Sequence, residues 1–192
     1  LSISRDRQEV WAAQSHTKAL TADHSAEIVA LNGVTRDAFP RVLSPRLLAK
    51  APILTGSITT ATAAVAADAA AVCLVVSDRI AQGRGLALLG GTTVGGNRYG
   101  WFPTDIRRIW NGSALQQAEI MEAYAVQALA VIDGAGLDPR IVNPGGGGLA
   151  RGHPIGASGA ILAVRLFHGL RQGRGLAAIA AAGGIGAALL VE

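Results

Sequence analysis

Apolar positions recur along this chain in two rhythms, one helical and one strand-like. SRDRQEVWAAQSHTKAL (Ser4 to Leu20) has helical spacing. Ser4 can cap it, and Glu9 lies in its early turns, where negative charge suits the helix dipole. EIVAL (Glu27 to Leu31) reads as a short strand. Asn32 to Pro52 holds Pro40, Pro45 and Pro52, which predicts loop with one short helix. Ser57 to Asp68 is rich in Ala and Thr and reads as a buried helix. AAAVCLVVS (Ala69 to Ser77) is a continuous apolar run, the pattern of a strand covered on both faces.

DRIAQGRG then reads as a link, and GLALLGGTTVGG (Gly85 to Gly96) as a new strand-led unit. A short helix is predicted over Thr104 to Trp110, a strand end over Glu119 to Met121, a helix over Ala123 to Ala135 and a short strand over Ile141 to Asn143. Ile155 to Gln172 carries apolar residues at 161, 162, 164, 166, 167 and 170 and reads as a long helix. The last stretch, GLAAIAAAGGIGAALLVE, predicts two strands joined at Gly183 and Gly184. From residue 85 the order is βαβαβαββ. Strands alternating with helices predict a layered α/β fold that closes on a hairpin. The first 80 residues hold two strands at most, too few for a sheet of their own.

Composition narrows the class. Half of the 192 residues are hydrophobic and 16% are charged, so the chain buries a large core. Aromatics are few at 4%, while Ala and Gly abound, as in tightly layered α/β folds. The formal charge of +4 reads equally as a mildly basic surface or as attraction for an anionic ligand. No dense Lys/Arg cluster or basic–aromatic interleaving points to nucleic acid. Cys73 is the single cysteine, which rules out an internal disulfide and fits a reducing, cytoplasmic setting. Cys73 itself, inside AVCLVV, reads as a small core hydrophobe. The N-terminus is too polar for a signal peptide, and Leu176 to Val191 is too short and Gly-broken for a membrane span. The chain starts with Leu and its single Met is Met121, so residue 1 is not expected to be the native start. His16, His24 and His168 show no metal-ligand spacing and read as surface or helix residues.

The chemistry concentrates in NPGGGGLARGHPIGASGA, residues 143 to 160. Glycines let backbone or ligand come close, and Pro154 holds the residue before it extended. A helix then starts just past His153, and helix starts suit developing negative charge. The result is a rigid elbow that presents an imidazole. Taken alone, G-H-P is more simply a tight turn with an incidental His. In its wider context the stretch resembles the C-terminal signature of the thiolase family, a GG-containing strand end followed by GHPxGxSG. ISRDRQEVWAAQSH is similar to the ISR-initiated helix in the thiolase loop region, and AADAAAVCLVVS to the NDGAAA-strand that ends the first half. MEAYAVQALA stands in place of NEAFAAQ, and GLAAIAAAGGIGAALLVE in place of a strand with CxGGGxG.

The resemblance implies a thiolase-like layered α/β fold with three parts. Residues 1–56 are a remnant of the loop region, 57–80 the last helix and strand of the N-terminal half, and 81–192 the C-terminal domain. It implies acyl transfer on coenzyme A thioesters of fatty-acid and lipid metabolism. Coenzyme A serves as substrate carrier, with no permanent cofactor and no metal. His153 would activate a nucleophilic Cys and polarise a thioester oxygen. The backbone N–H of Ala182 would serve a second oxyanion hole, with Gly183 and Gly184 against the coenzyme A thioester. Other positions depart from the family. Met121 replaces the water-holding Asn, while Glu122 and Ala123 are kept. Ala180 replaces the acid/base Cys, and Ala182 the first Gly of CxGGGxG. Thr62 and Ala64 stand where many thiolases have an Asn and a coenzyme-A-contacting Ser. Some relatives place the second catalytic Cys where this chain has Ala123.

The first half's leading strands and its nucleophilic Cys are missing from these 192 residues. The expected partner is therefore a second polypeptide carrying the N-terminal half, in a hetero- or homo-oligomer, and His153 would act on that chain's Cys. The other reading is a non-catalytic thiolase-fold subunit that binds acyl-CoA or stabilises a partner. A dinucleotide-binding domain is disfavoured, since no G-x-G-x-x-G follows an early strand.

Overall fold

The computed structural model describes residues 2–95 and 102–192. Ser4 caps the first helix, α1 (Arg5–Thr21), its hydroxyl accepting from Arg7 N. A largely irregular stretch follows, broken by α2 (Pro45–Lys50) and a small hairpin, β1 (Ile53–Thr55) with β2 (Ile58–Thr59). After α3 (Asp78–Ala81) the layered part begins: β3 (Leu88–Gly95), α4 (Phe102–Ile109), β4 (Gln117–Ile120), α5 (Ala125–Ala135), α6 (Gly148–Arg151), a 3₁₀ turn (Ile155–Ala157), α7 (Ser158–Gly169), β5 (Gly175–Ala181) and β6 (Ile185–Val191).

The four strands form one mixed sheet in the order β3-β6-β5-β4. β4 runs parallel to β5, and the other two pairings are antiparallel. Strand side chains alternate between faces. Thus Ala118, Ile120, Leu176, Ala178, Ala188 and Leu190 form one core with Ile106 of α4 and with α5. Met121, Ala177 and Val191 turn to the opposite face and pack with Leu162 and Leu166 of α7. α7 covers β4 and β5 on that face. Beyond it lies an open groove of about 410 Å³, lined by Thr92, Leu162, Ile179, Ala187 and Leu189 among others.

Four predicted elements differ. EIVAL forms turn and irregular backbone, with Val29 90% exposed: Glu27 is held by His24 and Arg165, and Leu31 makes only a local bridge to Val34. Ser57 to Asp68 is not a helix. Its backbone groups bond across the fold: Ala64 N to Ala123 O, Ala125 N to Thr62 O, and His153 N to Val65 O. Ala69 to Ser77 joins no ladder, and Val72 and Leu74 stand 88% and 89% exposed. A strand exists only through its neighbours' hydrogen bonds, and among the described residues no strand pairs with this segment. Ile141 to Asn143 contributes one parallel bridge, Val142 to Ala118, rather than a strand. Part of Gly85 to Gly96, at Gly96, lies outside the described residues. Among the described residues no helix is long and apolar enough to cross a membrane.

Candidate active site

His153 is held from two sides. Gly152 before it has φ +96°, and a Cβ there would come within 2.7 Å of Ala67 Cβ. This close approach lets residue 153 pair with Ala66 in a parallel bridge, its N–H donating to Val65 O at 2.8 Å. The extended backbone before Pro154 therefore becomes a strand-like contact. Past Pro154 the chain reverses through Ile155 at φ +43°, a left-handed conformation strained for a β-branched residue. Ile155 is 76% exposed, so burial of its side chain does not explain that strain. Strain of this kind collects at functional sites.

The ring is fixed by the helix that follows. Ser158, the first residue of α7, lies 2.7 Å from His153 Nδ1 through its Oγ. Partial burial holds the imidazole below its ordinary pKa, so it is neutral near pH 7. A neutral imidazole with one nitrogen engaged and the other open is equipped to take a proton.

Gly145 to Gly148 are required by packing. A Cβ on Gly146 would strike Ser15 O and Ala19 of α1, and its φ is +77°. On Gly147 it would lie 2.5 Å from the Glu122 carboxyl, and on Gly148 2.6 Å from Met121 Cε. The run lets the chain slide between α1 and the end of β4, where its last member opens α6. Glu122, fully buried, is the centre of this contact. Its Oε1 accepts from Trp11 Nε1 (2.9 Å) and Asn143 Nδ2 (2.8 Å). Its Oε2 accepts from Ser15 Oγ (2.7 Å) and Leu149 N (3.2 Å). Asn143, at φ +46°, also bonds both backbone groups of Ile120.

The other predicted positions are placed as follows. Met121 is 3% exposed and packs in the α7 core. Ala180 lies near the end of β5, and Ala182, Gly183 and Gly184 form the β5–β6 turn, with φ +88° and +80° at the two glycines. A Cβ on Gly183 would meet nothing within 4 Å, so this turn faces open space. α7 packs on β5 and so joins the His153 elbow to the strand that leads into the turn. Thr62 is buried, its Oγ1 bonding Thr59 N and O, and Ala64 is tied by its backbone to Ala123.

One reading of a single residue is corrected. Cys73 is exposed, its Sγ 3.7 Å from Ala160 O on α7, because the run that carries it has no covering strand. His16 lies on α1, 2% exposed, its Nδ1 accepting from Arg41 N at 3.2 Å. His24 pairs with Glu27 and Arg151. Among the described residues no group of three or more His, Cys, Asp or Glu is placed to hold a metal ion. Sequence reasoning passed over Ser158 and the role of Glu122. Both lie inside the motifs it quoted, as the Ser of GHPxGxSG and the acidic residue after Met121.

The family described as "Thiolase, C-terminal domain" matches residues 107–192. The chain belongs to the thiolase family. An acetyl-CoA acetyltransferase of Shinella zoogloeoides is 35% identical over 99% of this chain and 56% of its own length. The crystal structure of the Bacillus anthracis acetyl-CoA acetyltransferase superposes with a TM-score of 0.88 at 31% identity, over 99% of this chain and 56% of that one. A thiolase from Ascaris suum, solved in complex with coenzyme A, gives 0.85 at 28% identity, again over 99% and 56%. The chain thus spans about half the length of these relatives, and their shared layered fold is its own.

Proposed function

We propose that this chain is the C-terminal portion of a thiolase-type acyltransferase acting on acyl-CoA thioesters, with His153 serving a nucleophilic Cys on polypeptide outside these 192 residues. The observation that carries this is the elbow itself: a neutral imidazole, anchored at its backbone by Val65 and at Nδ1 by Ser158, beside a strained turn. A turn that merely reverses the chain needs none of these three features.

The open Nε2 takes the thiol proton, and the thiolate attacks the thioester carbonyl. Acyl-cysteine forms as the coenzyme A sulfur leaves, and the imidazolium stabilises the oxyanion on the way. The Ala182 N–H stands as donor for a second oxyanion, and Gly183 and Gly184 leave room for a ligand's approach. Carbon–carbon chemistry asks more. Ala180 cannot move an α-proton, and Met121 is buried and cannot hold a water by donating to it. The bare sheet face beside α7 and the unpaired segment Ala69 to Ser77 are where the complementary half would pack. A cytoplasmic setting accords with a single unpaired cysteine.

The second reading, a non-catalytic subunit that binds acyl-CoA or steadies a partner, is favoured by Met121 and Ala180. Substitution of His153 in the complex with a Cys-bearing half separates the two. His153→Ala should lower acyl transfer from acetyl-CoA by about 100-fold or more. His153→Asn should recover part of that loss, since an amide donates a hydrogen bond but takes no proton. An unchanged rate per folded complex would overturn the acyltransferase reading in favour of the second.

A further inference from the structure

We propose that His24 is a proton-operated switch at Gly145: neutral, it accepts from Arg151 and leaves that guanidinium on the Gly145 carbonyl; protonated, it donates to the carbonyl itself and displaces the arginine. The proposal goes beyond the acyltransferase reading and does not depend on it.

The partners fix the neutral state. His24 Nδ1 contacts Glu27 Oε1, and its Nε2 contacts Arg151 Nη2. The side chains of His24 and Glu27 are only 13% and 11% exposed, so protein groups rather than water set the state of the ring. A guanidinium has only protons to offer, so Nε2 presents a lone pair to it. Burial works against the Glu27 carboxylate, but its bond to His24 and the Arg165 and Arg151 charges outweigh that and hold it below its ordinary pKa. It is ionised near pH 7 and can only accept, so Nδ1 carries the proton. Neither partner can reverse its role, and the tautomer follows from both.

A second proton has one place to go, Nε2, where it points into the guanidinium. Arg151 is already crowded, since burial first and then the Arg165 charge hold it below its ordinary pKa. Its Nη1 donates to Asp37 Oδ2 at 2.6 Å and its Nη2 to Gly145 O at 2.8 Å. Gly145 O lies 3.4 Å from His24 Nε2, which makes it the acceptor within reach of a protonated ring. Arg151 then keeps Asp37 and yields the carbonyl. The other charges nearby are already engaged. Arg165 of α7 meets Glu119 of β4 at 3.1 Å and Glu27 at 3.8 Å, Lys18 of α1 donates to Val142 O, and Asp23 accepts from Ser25 N.

The switch sits at a junction. Arg151 ties His24 to Asp37, the two ends of the irregular loop at 24–37, and Gly145 opens the glycine run that leads to His153. A Cβ on Gly145 would lie 2.6 Å from Arg165 Nη2 and 2.7 Å from His24 Cε1, so a side chain there would push these groups apart. Protonation therefore loosens the neck of the loop and changes what holds the start of the run.

The experiment is ¹⁵N NMR of the full chain, labelled at histidine and glycine and titrated from about pH 8 to about pH 5, a span that brackets the ordinary histidine range. His24 is assigned by its loss in His24→Gln. At the upper end Nδ1 should resonate in the protonated range and Nε2 in the unprotonated range. As the ring takes up its second proton, the Gly146 amide, which shares a peptide bond with the Gly145 carbonyl, should shift along the same curve. Arg151→Met removes the competing donor and its charge, so His24 should take up the proton at higher pH, and Glu27→Gln should move it the other way. An Nε2–H tautomer at the upper end overturns the proposal. So does a Gly146 signal that stays still while the ring titrates, or a titration that Arg151→Met leaves unchanged. The tautomer and the Gly146 shift are read in the unsubstituted protein, so they decide the matter even where a variant fails to fold.

Discussion

β5 and the segment Ala69 to Ser77 make an instructive pair. The segment, AAAVCLVVS, is the richer in β-branched residues, the kind strands favour. Yet GLAAIAA, mostly Ala, is the strand: β4 bonds one edge, β6 the other, and Gly175 to Ala178 are buried throughout. Val72, Leu74 and Val75 meanwhile stand in the open. Intrinsic preference is worth about 1 kcal/mol across its whole scale, whereas each unpaired buried backbone group costs comparably. Neighbours therefore decide.

The comparison breaks most visibly in amide exchange. In the chain by itself, residues 70–76 should exchange near the unfolded rate and the amides of β5 slowly. Adding a polypeptide that carries the complementary half should slow 70–76 by about 1,000-fold or more, as expected when an open segment joins a ladder. Cys73 should follow the same course, labelled quickly before addition and slowly after it. Slow exchange and slow labelling in the chain alone would show that the segment is already paired.

A smaller effect tests what secures the ordered side. Glu122→Ala removes one acceptor group from four donors, Trp11 Nε1, Ser15 Oγ, Asn143 Nδ2 and Leu149 N. Each orphaned buried donor costs about 1–3 kcal/mol, and such costs overlap within one network. A loss of about 4 kcal/mol in chemical denaturation is expected, with Glu122→Gln losing less. A loss under about 1 kcal/mol would mean that water replaces the carboxyl freely.

The smallest effect is a pH dependence on α1. Burial first, and then the nearby Arg41 charge, lower the His16 pKa to about 4 from an ordinary 6.5. The unfolded chain thus takes up a proton below pH 6.5 that the folded chain refuses until about pH 4. His16 contributes its full stability above pH 6.5 and loses it progressively as the pH falls toward 4. The melting temperature should fall across that window, and His16→Asn should flatten the fall. An identical slope in His16→Asn would assign the dependence to other groups.

Much of the ordered half was legible in the chain. Ser4 marked the start of α1, Gly183 and Gly184 marked the turn between β5 and β6, and the apolar period marked α7. These signals are local, and each survives folding unchanged. What was not legible depends on distant partners. Ala and Thr in Ser57 to Asp68 suggested a helix, but Ala123, Tyr124 and His153 claim that backbone. Arg165, in the middle of α7, is 7% exposed because Glu119 on β4 meets it at 3.1 Å, a pairing that no spacing reveals. At the candidate site, His153 was legible from its motif. The hydroxyl that holds it was visible as a letter and silent as to its task.

The buried Glu122 also bears on how this molecule comes apart. Its four donors come from residues 11, 15, 143 and 149, so the network closes only when α1 has docked on a unit more than 100 residues away in the chain. α1 cannot fray from α5 and α6 on its own, because leaving strips the carboxyl of two donors and frees the glycine run of its lid. α1 and the α5–α6 region should therefore open as one cooperative unit, a single foldon assembled from distant parts of the sequence.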